Sequence, residues 1–400
     1  MPTKCHVDFE TFSECDLKKT GAYRYAGDNS TEVLCCAMAI DDEEPVVWFP
    51  GVEDQECFYA KACTPWQRYW DALENPEILI YAHNAMFEAS IFQSLGKKTF
   101  GIPCPDLSRF RCTMSLARRA SLPAKLEKLA EVLDLGQQKD ARGKSLIRKF
   151  SVMQSAKGPT KKFPQGRPAH RIRPEDDPAA FAEFCEYCAQ DVRVEQQVAR
   201  KLAYFDCEPN NSNYTLDAII NARGVTVNLE ALRHAQTLID EETEIVSAKF
   251  RAITGFEHTQ NKVLLEWINS QGHSFPNLQA GTIDEFLDEN TIEGEGPVFQ
   301  ALRLKQSVSY ASIKKVKAMI ACAGPRDNRV RGTLNHHGAT TGRWTASLIQ
   351  PQNFKRATMK GTEEAYKMIC EGCSREMLEI CYGPVLEVIS SSIRHFIHNI

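Results

Sequence analysis

Apolar and polar positions alternate along the first hundred residues, and the rhythm becomes helical further on. Lys4–Phe9 reads as a strand running into acidic residues. Val33–Ile40 and Pro45–Phe49 are apolar runs on either side of the acidic turn DDEE, which is a hairpin pattern. Pro65 opens a helical pattern through Leu73, Ile78–Ala82 is a short buried strand, and Ala85–Leu95 is a helix. Strands alternating with helices predict a mixed sheet with helices on its faces. Asp177–Pro178 then opens a long helix. Phe181, Phe184, Cys188, Val192, Val194, Val198 and Leu202 fall at roughly helical spacing along it.

From about Pro209 the strand signals fade. Leu229–Phe250, Asn261–Gln271, Thr282–Asp288 and Phe299–Ala321 read as helices, with loops at Gly272–Pro276 and Asp288–Pro297. These residues predict a second, mainly helical domain. From Arg331 the chain turns polar, RGTLNHHGATTGRWTASLIQPQNFKR. Lys139–Arg173 differs from its surroundings, with eleven Lys/Arg, one acidic residue, three prolines and three glycines. That composition predicts a poorly ordered basic loop, either solvated or tracking phosphates.

At 400 residues the chain is long enough for two or three domains at roughly 150 residues each. It is 43% hydrophobic and 25% charged, a globular composition. No apolar run approaches the roughly 18 residues of a membrane span. The start, MPTKCHVDFE, puts charges where an export signal needs an apolar stretch, so the expected location is the cytoplasm. Fifteen cysteines, an odd number, read as reduced thiols. A net charge of −4 excludes a globally basic coat but leaves room for a local basic groove.

Three acidic clusters carry candidate chemistry. HVDFET places Asp8 and Glu10 two apart at a strand end, on one face. Two carboxylates on one face repel unless protons or cations intervene, so they offer a seat for a divalent metal. The same pair is also an ordinary solvated strand end. In YAHNAMFEASIF, Asn84 stands at a strand-to-helix junction where it could cap the helix, and Glu88 lies one turn in. In YCAQD, Tyr187 and Asp191 are four apart, on one helix face, where a local hydrogen bond is the plain alternative.

Taken in order, DxE, NxxxE and YxxxD resemble the three exonuclease motifs of DnaQ-like 3′–5′ exonucleases, of the DEDDy branch. The likeness covers roughly residues 1–205. It implies an α/β ribonuclease-H-like domain with a mixed sheet and flanking helices, which hydrolyses phosphodiesters with two divalent cations, Mg²⁺ or Mn²⁺. By resemblance, Asp8, Glu10 and Asp191 hold the first metal, Asp8 and Glu88 (the latter through water) hold the second, and Tyr187 orients the attacking water. The family's second motif usually ends in Asp; here Glu88, one methylene longer, stands in that place.

A second resemblance follows. GVTVNLEAL, LKQSVSYASIKK and TTGRWTASLIQPQNFKR are similar in order and spacing to the thumb and early palm of family A, polymerase-I-like DNA polymerases, phage-encoded members above all. This implies a helical thumb over 206–330 and the start of a palm over 331–400. Thr341, Gly342, Arg343, Gln352 and Asn353 would line the primer–template duplex, and Asn84 would also touch DNA. Trp344–Thr345–Ala346 replace the usual LSS, and Arg356 stands near the place of a family arginine. Lys305, Lys314, Lys315 and Lys317 are expected in one basic helix where the thumb grips phosphates. SSSIRHFIHNI resembles the segment before the first polymerase carboxylate motif, so nucleotide incorporation is not expected from these 400 residues without a second chain carrying palm and fingers.

The implied partners are a single-stranded DNA 3′ end and primer–template duplex, in a bacterial or phage-infected cell. The rival readings are a non-catalytic duplex-binding subunit and an exonuclease acting on RNA. Cys185/Cys188 and Cys370/Cys373 are two CxxC pairs that make a zinc site only if brought together. His336–His337 read as a DNA contact or plain surface.

Overall fold

The structure is a computed structural model that describes residues 2–50, 66–135, 142–159, 164–289, 296–309 and 312–398. The chain forms two compact units, Met1–Gly224 with Cys322–Gln350, and Val225–Ala321 with Pro351–Ile400. Compactness thus groups the chain differently from a division along the sequence at 205 and 330.

The first unit is built on a five-stranded mixed sheet whose strands, in spatial order, are β3 (Val46–Trp48), β2 (Glu32–Ile40), β1 (Lys4–Phe12), β4 (Leu79–Ala82) and β5 (Phe110–Cys112). β1 pairs antiparallel with β2, and β2 antiparallel with β3, which is the expected hairpin. On its other side β1 runs parallel to β4, and β4 parallel to β5. Alternation along β1 sorts its side chains onto two faces. Phe9 points to an aromatic cluster in which its ring meets Phe92 at 5.0 Å, while Trp48 and Trp70 meet Phe100 at 4.9 and 5.1 Å. The opposite face carries His6, Asp8 and Glu10 and is covered by the long helix Pro178–Lys201, which packs on β1 and β2. Residues Val33–Ala39 of β2 are buried throughout, as expected of a strand covered on both faces.

The long helix starts where the sequence predicts. The Asp177 side chain accepts from the Ala180 N–H, and Pro178 occupies the first turn, where a missing N–H is harmless. The basic stretch differs from expectation. Residues Gly143–Phe150 form a helix whose Leu146 and Phe150 are buried, and backbone pairs join Gln154 to His170 and Lys157 to Arg167. Cations crowd the exposed side of this helix and mask its short apolar stripe in the composition. The rest of the expected loop, at 139–141 and 160–163, lies outside the described residues.

The second unit is helical. Leu229–Thr254 is capped by the Asn228 side chain, which accepts from the Ala231 N–H. Asn261–Ser270, Ala280–Glu289 and Pro297–Ser307 follow. Phe250, Leu264, Ile268, Phe299 and Leu302 form their shared core. Each such side chain contributes about 1.5–3 kcal/mol when fully buried. The expected single helix Phe299–Ala321 is two, Pro297–Ser307 and Ile313–Cys322. Asn210–Arg223 and the helices Thr362–Cys370, Arg375–Tyr382 and Val385–Ser391 add to the sequence reading. Most of the expected Asp288–Pro297 loop is outside the described residues. No helix among the described residues is long and apolar enough to cross a membrane.

Candidate active site

Pairing of Lys4 with Leu79, Cys5 with Ile80 and His6 with Tyr81 runs β1 and β4 side by side toward one edge of the sheet. Crevices at the carboxyl ends of parallel strands are where α/β sheets hold ligands. Asp8 and Glu10 emerge there from β1. The register shifts between Glu10 and Thr11, a local irregularity of the bulge type that commonly re-aims side chains beside functional sites.

Beyond β4 the chain delivers Asn84 and the helix Met86–Ile91 with Glu88. Asn84 does not cap that helix with its side chain. It takes a left-handed backbone with φ of 77°, which Asn tolerates better than most residues, and its carbonyl accepts from the Phe87 N–H at 2.8 Å. The helix continues into a wide turn at Phe92–Gly96 with π-type hydrogen bonding, a distortion frequent near functional sites. From the covering helix come Tyr187 and Asp191, both buried. Asp8, Glu10, Asn84, Glu88, Tyr187 and Asp191 all line one cleft of ≈ 820 Å³.

The cleft is electrostatically unfavourable for its own carboxylates. Glu88 is 2% exposed, and its Oε2 has no hydrogen-bond partner. Burial, and then the charge of Asp8, hold its pKa well above the ordinary carboxylate range. Burial and the charges of Asp191, Glu10 and Asp8 push the Tyr187 phenol up, so it remains a hydrogen-bond donor at neutral pH. Behind Asp8, the buried Cys188 thiol lies 3.5 Å from both its backbone oxygen and its Oδ2. Cys185 and Cys188 serve the core of the first unit; Cys370 and Cys373 belong to the second, half-buried.

Among the described residues, no three or more His, Cys, Asp or Glu side chains already form a ready-made metal shell. Like charges held close repel, so drawing such a shell together takes an ion's own charge. The donor set nevertheless suits a hard divalent cation, being all oxygen and including a buried carboxylate oxygen without a hydrogen bond.

Sequence reasoning missed three features in and around the site. Exposed Lys18 and Lys125 line the cleft, and isolated surface lysines carry no distinguishing pattern, whereas Lys144, which also lines it, lies in the basic stretch already read as solvated or phosphate-tracking. His6, two residues before Asp8, holds Glu195, four after Asp191, in a buried 2.5 Å pair. That spacing is visible in the sequence, but it gains meaning only once the long helix is known to lie on β1. Gly143 sits against Tyr187, inside the stretch expected to be a loop.

The other expected binding residues are dispersed. Thr341, Gly342 and Arg343 are exposed at the tip of a small hairpin pairing Leu334–Asn335 with Thr345–Ala346 in the first unit. Trp344 beside them donates from Nε1 to Asp217 at 2.7 Å. His336 is buried rather than superficial. Its Nδ1 lies 2.6 Å from the Ser115 hydroxyl, and burial pushes its pKa down to about 4.

In the second unit Gln352 and Asn353 are exposed on a short 3₁₀ turn, and Arg356 is exposed just beyond it. Lys314 and Lys317 are exposed, while Lys315 lies 4.8 Å over the Phe354 ring. Lys305 sits on the other helix, its ammonium donating to the His258 carbonyl at 2.6 Å and to Asn261 Oδ1 at 2.7 Å.

No known family profile matches the chain. It is 33% identical over 393 residues to a DNA polymerase of Bacillus phage SP02, covering 97% of this chain and 56% of that protein. The chain is therefore homologous to a phage DNA polymerase along nearly its whole length, and spans little more than half of that relative. Among solved structures it resembles the POL domain of Pol1 from M. smegmatis, determined in complex with DNA primer-template and dNTP. There the TM-score is 0.49 at 13% identity, covering 90% of this chain and 53% of that one.

Proposed function

We propose that the chain is the 3′–5′ exonuclease and primer–template-binding portion of a family A DNA polymerase, acting in DNA replication and proofreading. One observation carries the reading. Asp8, Glu10, Glu88, Tyr187 and Asp191 come from a strand and two helices far apart in sequence, and all face one cleft. The homology to a phage DNA polymerase supports the same reading. The first unit holds the exonuclease, in a ribonuclease-H-like arrangement, and the helices of the second act as a thumb on duplex DNA.

In this reading Asp8, Glu10, Glu88 and Asp191 hold two divalent cations, Mg²⁺ or Mn²⁺, which supply positive charge against the phosphate and favour ionisation of the attacking water. Tyr187 donates a hydrogen bond that orients that water. Its raised pKa keeps the donor proton in place. Lys18, Lys125 and Lys144 attract the strand's phosphates to the rim. The cleft admits an unpaired 3′ end, so the substrate is single-stranded or frayed DNA. Exposed Lys314 and Lys317, with Arg343, Gln352 and Asn353, contribute to duplex binding. The test is release of nucleotides from the labelled 3′ end of single-stranded DNA with Mg²⁺, against an RNA strand of the same sequence. Loss of label from DNA alone supports the reading, and an intact DNA strand overturns it.

A further inference from the structure

We propose that Gly143 is a positioning residue of the cleft: its bare Cα is the seat against which the Tyr187 ring is set. This rests on the reading of the cleft as a 3′-end exonuclease. A Cβ built on Gly143 would stand 2.1 Å from Tyr187 Cε2, 2.6 Å from Cζ and 2.7 Å from Cδ2. Those are ring atoms near the phenol oxygen, so the clash falls at the working end of the side chain. Gly143 is not among the glycines with positive φ, so the backbone does not demand glycine there. Glycine in a helix interior is unfavourable relative to alanine by roughly 1 kcal/mol, and even at the first position, which Gly143 holds, it brings no helical advantage over alanine. Space for the ring accounts for the choice.

The ring has little freedom to retreat. Its plane lies 5° from that of Phe184, with centroids 6.2 Å apart. Phe184 in turn stacks on Phe150 at 5.6 Å, and Phe150 meets Phe181 at 5.6 Å. Phe150 is the last residue of the helix that Gly143 begins. That helix is therefore fastened to the long helix at both ends, by Gly143 on Tyr187 and by Phe150 on Phe181 and Phe184. Arg142 to Glu183 at 3.2 Å and the Lys149–Asp177 pair add charge contacts along the same seam. An added methyl group must push the ring more than 1 Å or pry the helix away. Misplacement of about 1 Å at a reacting group can lower rate about 10²-fold.

The test is a double-mutant cycle on the full chain with Gly143→Ala and Tyr187→Ala, read by turnover on single-stranded DNA and by thermal unfolding. Gly143→Ala should lower turnover about 10²-fold, with KM nearly unchanged. In the Tyr187→Ala background, which vacates the space, the same change should cost no further activity. By unfolding, Gly143→Ala should destabilise the wild type and be neutral or stabilising beside Tyr187→Ala, where only helix propensity remains. If Gly143→Ala alone fails to fold, recovery of folding in the double variant supports the proposal, and no recovery contradicts it. Equal effects of Gly143→Ala in both backgrounds would overturn it. The unfolding cycle does not need nuclease activity. Coupling seen in an inactive wild type would refute the exonuclease reading alone, and an active wild type without coupling would refute the role of Gly143 alone.

Discussion

Replacing Glu88 by Gln should move stability and activity in opposite directions. Glu88 is buried, its Oε2 lacks a hydrogen bond, and the charge of Asp8 raises its pKa further. A carboxyl whose folded pKa lies above its unfolded value favours the native state only while protonated. Its contribution is full below the unfolded value, about 4.3, and is lost as pH rises toward the folded one. Above the unfolded value wild type must either hold that carboxyl protonated against the solution pH or bury a charge repelled by Asp8, and the neutral amide of Gln does neither. With a chelator present, Glu88→Gln should therefore be more stable than wild type at pH 7.5, by about 1–3 kcal/mol, the usual scale for an uncompensated buried polar group. For a unit of this size that is about 2–4 °C in Tm per kcal/mol.

The activity effect has the other sign. Withdrawing one unit charge about 4 Å from a divalent cation, at an effective dielectric near 20, forfeits about 8 kcal/mol of attraction. If half of that is expressed in the transition state, the loss is about three powers of ten in rate. Glu88→Asp keeps the charge and should retain substantial activity. The assays are thermal unfolding with EDTA at pH 4 and pH 7.5, and Mg²⁺-dependent loss of a 3′ label. A Gln variant that is as active as Asp, or less stable than wild type only at the higher pH, would refute the argument.

Tyr187→Phe should reduce turnover by about 10²–10³ at most, because it removes one orienting hydrogen bond and no metal ligand. Full activity at ordinary Mg²⁺ would contradict the role given to the phenol. The two lysine-bearing helices should separate in primer–template binding measured across salt. Lys314→Ala should reduce the log–log salt slope by about 0.9, one phosphate contact. Lys305→Ala should leave the slope unchanged and lower the thermal stability of the second unit, since its ammonium is held by His258 and Asn261. A slope change at Lys305 equal to that at Lys314 would reverse the assignment.

How much of this was legible in the sequence differs from residue to residue. Asp8 and Glu10 could be placed on one face because strand alternation is strict, and Tyr187 and Asp191 because a helix repeats at four. The hairpin across DDEE and the start of the long helix at Asp177–Pro178 were legible from turn and cap chemistry. The helix Gly143–Phe150 was not, because its cations outnumber the few apolar residues that bury. The break between Ser307 and Ile313 was hidden by an unbroken run of helix-compatible residues. His6 with Glu195, and Gly143 with Tyr187, depend on contacts between segments far apart in the chain. Local pattern carries no information about them. The Asn84 side-chain cap failed for a local reason, since the residue adopts a left-handed backbone and offers its carbonyl instead.

The most direct test compares wild type and Asp8→Ala on single-stranded DNA labelled at its 3′ end, with Mg²⁺ and with EDTA. Asp8 is the carboxylate assigned to both cations, so its loss should lower the rate by several powers of ten, and the fold should persist by circular dichroism. The account predicts Mg²⁺-dependent release of 3′ nucleotides by wild type and essentially none by Asp8→Ala. Undiminished degradation by a folded Asp8→Ala, or an inert wild type with either Mg²⁺ or Mn²⁺, would contradict it.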